Sequence, residues 1–291
     1  MLRRILCALL FSTALFAQSP VVLGVFEDSM GALEQDPHIR GLRAVFYKSG
    51  TEWKVLPANC ATRKCMQQFI PEFPFELTWT LAFDGRSLGT ITSRVAPDPP
   101  DSDWRAMMQI ISEPPLPAIG KQTEEFAGFP GAPVLRPLVA ISQPNSADPD
   151  VWKPFIAVPA NVAPVRAEFR KKYPRITNCE VEESREYRDA EIKVNKSYAA
   201  KTGWKLFSLG IKGCDASNLG ATAGLDYEWF TIDPSGTVHY LASNLVLVDA
   251  GDYDKSGHSQ VLFMIDDYNR GGYVLFYDNF QKQATLEYHF H

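Results

Sequence analysis

Along most of this chain apolar and polar side chains alternate in short runs, and the runs come in pairs. Residues 42–47 lead into Ser49 and Gly50 and return as residues 52–56. A period of two marks a strand with one face on a core, and glycine supplies the positive φ of a tight hairpin turn. Residues 77–83 repeat the pattern, break at Asp84 and Gly85, and resume over 88–93. Residues 227–232, a turn of Asp233, Pro234, Ser235 and Gly236, and residues 237–241 form a third unit. Runs at 245–248, 261–265, 273–277 and 284–289 complete the series, and residues 191–195 and 204–211 add two strands. The pattern predicts a mostly β fold of antiparallel hairpins, β-propeller-like or a β-sandwich, with one or two short helices.

Helical spacing is expected in two places. One is residues 102–111, within a stretch punctuated by Pro97, Pro99, Pro100, Pro114, Pro115 and Pro117. The other is residues 165–173, opened by Asn161 and Pro164 and stopped by Pro174. Residues 143–149 read as a loop or linker, which divides an N-terminal β-rich region (18–145) from a C-terminal one (146–291), unless the two are continuous. The hairpins at Trp79 and Trp229 share the indole, an alternating arm, an Asp and a Gly. That likeness fits either repeated sheets stacked about an axis or the turn chemistry of any hairpin.

The first residues change the picture most. Arg3 and Arg4 precede an apolar run over residues 5–16, and small residues at Ala14 and Ala17 offer cleavage points. The run is well short of the about 20 residues that cross a bilayer. The expectation is a signal peptide over residues 1–17, a secreted or periplasmic protein, and no transmembrane segment once the signal is cleaved. Losing Arg3 and Arg4 takes the formal charge from −5 to −7. An acidic chain without a concentrated basic tract argues against nucleic acid as a partner.

Of five cysteines, Cys7 leaves with the leader, and Cys60, Cys65, Cys179 and Cys214 remain. An even number in an oxidising compartment points to disulfides. Three pairings are open, of which Cys60–Cys65 with Cys179–Cys214 is the local one. A zinc site is the competing use, with no histidine near the Cys60–Cys65 spacing to support it.

The chemistry-bearing candidate lies between residues 248 and 261. Asp252, Asp254 and Ser256 put oxygens at alternate positions, Gly257 permits a sharp bend, and Gln260 follows before a strand. Alternate oxygens on a tight turn can converge on one hard cation. The string from Gly251 to Phe263 resembles the loop of FG-GAP and VCBS-type repeats of integrin-α-like β-propellers, a likeness limited to roughly residues 245–277. The resemblance implies calcium held by Asp252, Asp254 and Ser256, a carbonyl near His258, and Gln260, with Asp249 just upstream. Ser256 and Gln260 stand where that pattern prefers carboxylates, so calcium affinity in the extracellular millimolar class is expected. The lost carboxylates cost more than the preserved shape, so the reading favoured over bound calcium is a metal-free turn that keeps its shape through Asx-type hydrogen bonds.

No nucleophile elbow, zinc-protease helix or phosphate-cradling loop is present in the sequence. His258 is read as a turn histidine rather than a base, and the six tryptophans as core or hairpin anchors before a sugar platform. The expectation is an exported non-catalytic binding or structural protein of the cell envelope or extracellular space, with a protein or carbohydrate ligand. The alternative is a secreted glycan hydrolase, whose carboxylate pair the sequence does not locate.

Overall fold

Each strand's apolar parity decides which neighbour it faces, and the outcome in the computed structural model is, among the described residues, three stacked antiparallel sheets flanked by two helices. The structure describes residues 20–28, 40–83, 86–95, 106–112, 137–143, 150–175, 185–211, 227–267 and 269–289. The leader, Cys7 and the Cys179–Cys214 pair lie outside the described residues, as does the Asp84–Gly85 turn.

The first sheet contains β1 (Val22–Asp28), β2 (Arg40–Ser49), β3 (Glu52–Val55), β4 (Glu76–Phe83), β5 (Arg86–Arg94), β6 (Gln109–Ile110) and β7 (Leu138–Ile141). Its order is β3-β2-β1-β7-β4-β5-β6. The second contains β8 (Lys153–Pro154), β9 (Ile192–Ala199), β10 (Lys205–Ile211), β11 (Glu228–Ile232) and β12 (Val238–Ser243), in the order β12-β11-β10-β9-β8. The third is a four-stranded meander of β13 (Leu245–Gly251), β14 (Gln260–Asp267), β15 (Arg270–Tyr277) and β16 (Lys282–His289). Among the described residues all strands of the first sheet precede residue 142, and those of the other two follow residue 152.

The meander is the middle layer. Its Leu262, Tyr273 and Leu275 meet Leu23, Val25 and Val139 of the seven-stranded sheet. Its Val261, Phe263 and Val274 meet Leu206 and Trp229 of the five-stranded sheet and Trp204 just ahead of β10. Burial on both faces explains why residues 261–265 and 273–277 are almost continuously apolar. Helix α1 (Arg63–Phe69) closes the outer face of the seven-stranded sheet through Met66, with Ile70 beside it. Helix α2 (Pro159–Lys172) closes the outer face of the five-stranded sheet through Val162, Val165 and Phe169.

The mostly antiparallel β expectation and two helices match this architecture. The hairpins β2–β3, β4–β5 and β11–β12 fall where the alternation places them. Trp79 and Trp229 are buried, and each indole donates: to Ser93 Oγ at 2.8 Å and to the Leu245 carbonyl at 2.8 Å. Helix in residues 102–111 is not borne out where the structure describes them. Met108 bridges to Leu42, and β6 pairs with Ser93 and Arg94, so edge pairing satisfies the backbone there. The second helix begins at Pro159, earlier than expected, because proline at the first helical position has a preset φ and an N–H not needed there. Pro164 lies inside it on the exposed side, off the Val162–Val165–Phe169 stripe. Helix α1 is short and is capped by Thr62, whose hydroxyl accepts from the Cys65 amide at 3.3 Å. Cys60 and Cys65 are bonded to each other, with their Cα atoms 5.3 Å apart.

Candidate functional site

The acidic turn joins β13 to β14 at one end of the meander, and it is folded inward. Asp252 is 2% exposed and Gln260 1%. Asp252 accepts from the backbone amides of Ser256 at 2.9 Å and Gly257 at 2.7 Å, and Ser256 Oγ lies 3.4 Å from the same carboxylate. Asp254 Oδ1 accepts from Gln260 Nε2 at 2.6 Å, while Gln260 Oε1 accepts from the Tyr253 amide at 3.2 Å. Lys255 and Gly257 take φ of 54° and 80°, which lets the chain reverse within the loop.

Three ties run outward from this turn. Lys48, at the end of β2, places its ammonium 2.5 Å from Asp254 Oδ2 and lies over the Trp53 ring at 5.5 Å. Asp150, ahead of β8, accepts from Ser259 Oγ, from Trp152 Nε1 at 3.2 Å and from Thr202 Oγ1 at 3.1 Å. Asn279 Oδ1, in the β15–β16 turn, accepts from the Ser259 amide at 3.0 Å, and His258 Nδ1 lies 2.8 Å from Asp278 Oδ1. One loop thus touches the seven-stranded sheet, the approach to the five-stranded sheet and its own meander.

Electrostatics divide the two carboxylates. Burial pushes Asp252 up from the ordinary carboxylate range, helped by Asp254 beside it and opposed by the Gly257 and Ser256 amides. Burial would raise Asp254 as well, but the Lys48 ammonium, with Ser256 and Gln260, holds it below that range.

The structure brings Asp252, Asp254, Ser256 and Gln260 together and turns their polar atoms mainly on one another. The His258 ring turns away to Asp278 while its amide donates to Ser256 Oγ at 3.3 Å, and Asp249 is buried in β13. Against calcium, the fit is partial: two carboxylates and a hydroxyl converge, yet calcium takes 6–8 oxygens, and an ammonium already lies on Asp254. Among the described residues no group of three His, Cys, Asp or Glu side chains forms a metal-holding cluster. Lys48, Asp150 and Asn279 carry no local signal, because each comes from a different element far away in sequence.

A second feature shares the β15–β16 turn. A depression of about 200 Å³ opens between the β11–β12 hairpin and that turn, lined by Trp204, Thr231, His239, Phe280 and Gln281 among others. Asp278, Asn279 and Phe280 take φ of 55°, 51° and 68° in succession. Asn and Asp tolerate the left-handed region, whereas a phenylalanine there is strained by roughly 1–3 kcal/mol. Packing compensates: the Phe280 ring stands edge-on to Trp204 with centroids 4.9 Å apart and near Trp152 at 6.0 Å. His239 Nε2 lies 3.2 Å from Asp233 Oδ2 at the rim.

No helix among the described residues is long and apolar enough to cross a membrane. Comparison with protein-family models, with curated proteins and with solved structures returns no match.

Proposed function

We propose that this chain is an exported, non-catalytic binding or structural protein of the cell envelope or extracellular space. The observation that supports this most is how the buried charges are used. Arg43 and Glu27 pair inside the stack, Lys48 and Asp254 join two sheets, and Asp150 anchors the acidic turn. A reacting acid or base needs an approach for substrate and a proton to move. Carboxylates sealed between layers by cations and amides act as fasteners. A four-stranded meander stacked face to face on neighbouring antiparallel sheets also suits the propeller-like or sandwich reading.

The test is expression of the full chain in an exporting host, followed by N-terminal sequencing and incubation with a panel of glycans. Cleavage near Ala17, with every glycan left intact, is the expected result. An uncut leader would end the export reading, and release of new reducing ends would favour the secreted glycan hydrolase.

A second reading, that the acidic turn takes up calcium, is favoured by the convergence of Asp252, Asp254 and Ser256. Calcium would then compete with the Lys48 ammonium for Asp254. With affinity near 1 mM, titration to about 10 mM should stabilise the fold by about 1.4 kcal/mol and raise Tm by roughly 2–5 °C. Lys48→Met should enlarge that rise and Asp252→Ala remove it. A melting temperature unmoved by calcium in both the native chain and Lys48→Met retires the metal.

A further inference from the structure

We propose that the depression between the β11–β12 hairpin and the 278–281 turn binds one neutral sugar ring, an inference that rests on the binding role above and names its ligand class. The volume of about 200 Å³ suits a single ring rather than an extended chain. Thr231 is the most buried residue of the lining, 1% exposed, and its hydroxyl has no hydrogen-bond partner among the described residues. A buried hydroxyl left without a partner is uncommon and calls for a group that is absent from the protein itself. A ligand hydroxyl entering the depression supplies it.

The rest of the lining has matching chemistry. Gln281 offers an exposed amide, and His239, held at Nε2 by Asp233, keeps Nδ1 for a ligand. Trp204 and Phe280 give an apolar wall, and the left-handed run at Asp278, Asn279 and Phe280 fixes that wall in place. The lining holds no lysine, arginine, aspartate or glutamate among the described residues, so no fixed charge favours an ionic ligand. Hydroxyl and amide groups beside aromatic carbon recognise a polyhydroxylated ring with one apolar face.

The experiment presents the full mature chain with methyl glycosides of hexoses and N-acetylhexosamines, read by tryptophan fluorescence and by saturation-transfer NMR. At least one glycoside should bind with a dissociation constant on the order of 1 mM, as expected for so small a ligand. Thr231→Val and Gln281→Ala should each weaken binding by about 2- to 10-fold, the effect of one lost hydrogen bond. Thr231→Val removes an unpartnered hydroxyl at constant shape, so Tm should hold or rise, which separates lost binding from lost folding. Binding of no glycoside up to tens of millimolar, or binding indifferent to both substitutions, overturns the site while leaving the exported structural role standing. A glycoside that binds here and is cleaved keeps the site and overturns the non-catalytic reading.

Discussion

Arg43→Met should lower the unfolding free energy by about 3–5 kcal/mol, the largest loss expected from a single polar position. Arg43 is 2% exposed where the seven-stranded sheet meets the meander. Its Nε lies 2.9 Å from Glu27 Oε1, its Nη1 reaches the Ala106 carbonyl at 3.3 Å, and its guanidinium sits 4.8 Å from the centre of the Tyr288 ring. Tyr273, from β15, donates to the same Glu27 oxygen at 2.7 Å. Burial first, and then the Glu27 carboxylate, raise Tyr273 well above the usual phenol range, so it remains a donor. Methionine fills the space of the stem but leaves Glu27 buried with a phenol in place of a cation. A chain of this size should then melt roughly 8–15 °C lower. Urea unfolding followed by circular dichroism gives the free energy. The triple change Glu27→Leu, Arg43→Met, Tyr273→Phe removes the whole cluster and should recover most of the loss, because the penalty is the unpaired charge. If the single variant loses under about 1 kcal/mol, the two sheets are held by the packing of Leu23, Val25 and Leu275, and the cluster contributes little.

The same contrast between local and distant causes decides what the sequence reveals. The β2–β3 and β11–β12 hairpins are legible because their turns are local: Gly50 at φ 63° and Gly236 at φ 92° do what the sequence implies. The strands β1 and β7 are not. They sit side by side in the middle of the seven-stranded sheet, apolar side chains face both neighbouring cores, and the alternation that marks a half-buried strand is lost. The stretch around Met108 has a spacing compatible with helix, yet pairing to Leu42 and Ser93 makes it an edge. At the acidic turn, Asp252, Asp254, Ser256 and Gln260 can be picked out by their spacing. Their role depends on Lys48 and Asp150, brought in by tertiary packing, which no spacing encodes. The depression is harder still, since its walls come from Trp204 ahead of β10, from β11 and β12, and from a turn made by three left-handed residues, none of them glycine.

Glu228 should make stability fall as the pH rises across neutrality. It lies in β11 on the α2 side, level with Phe230 and Ile232, and is fully buried. Burial lifts its carboxyl to about 7, while the Tyr173 and Tyr240 phenols and the Lys172 ammonium pull the other way without offsetting the loss of water. Lys172, in the last turn of α2, stands 3.8 Å from the centre of the Tyr240 ring, so the helix end covers the carboxyl. With a folded value near 7 and an ordinary unfolded one, the native state holds the extra proton between them. The contribution is therefore complete at pH 4 and is lost as the pH rises through 7, an amount of about 2–3 kcal/mol. Glu191, held down to about 2 chiefly by Arg185, and Asp233, held low chiefly by Ser235, act at the opposite end. What they lend is present at neutral pH and fades as the pH falls below about 4, so the two windows do not overlap. Glu228→Gln keeps the shape and cannot ionise. Its denaturation midpoint should stay level from pH 5 to 8.5 while that of the native chain declines, with the native chain the less stable of the two at pH 8. Amide exchange in α2 should quicken over the same interval in the native chain alone. Parallel stability curves for the two proteins would mean that Glu228 is already ionised and paired in the fold, with the Lys172 ammonium as its counter-charge.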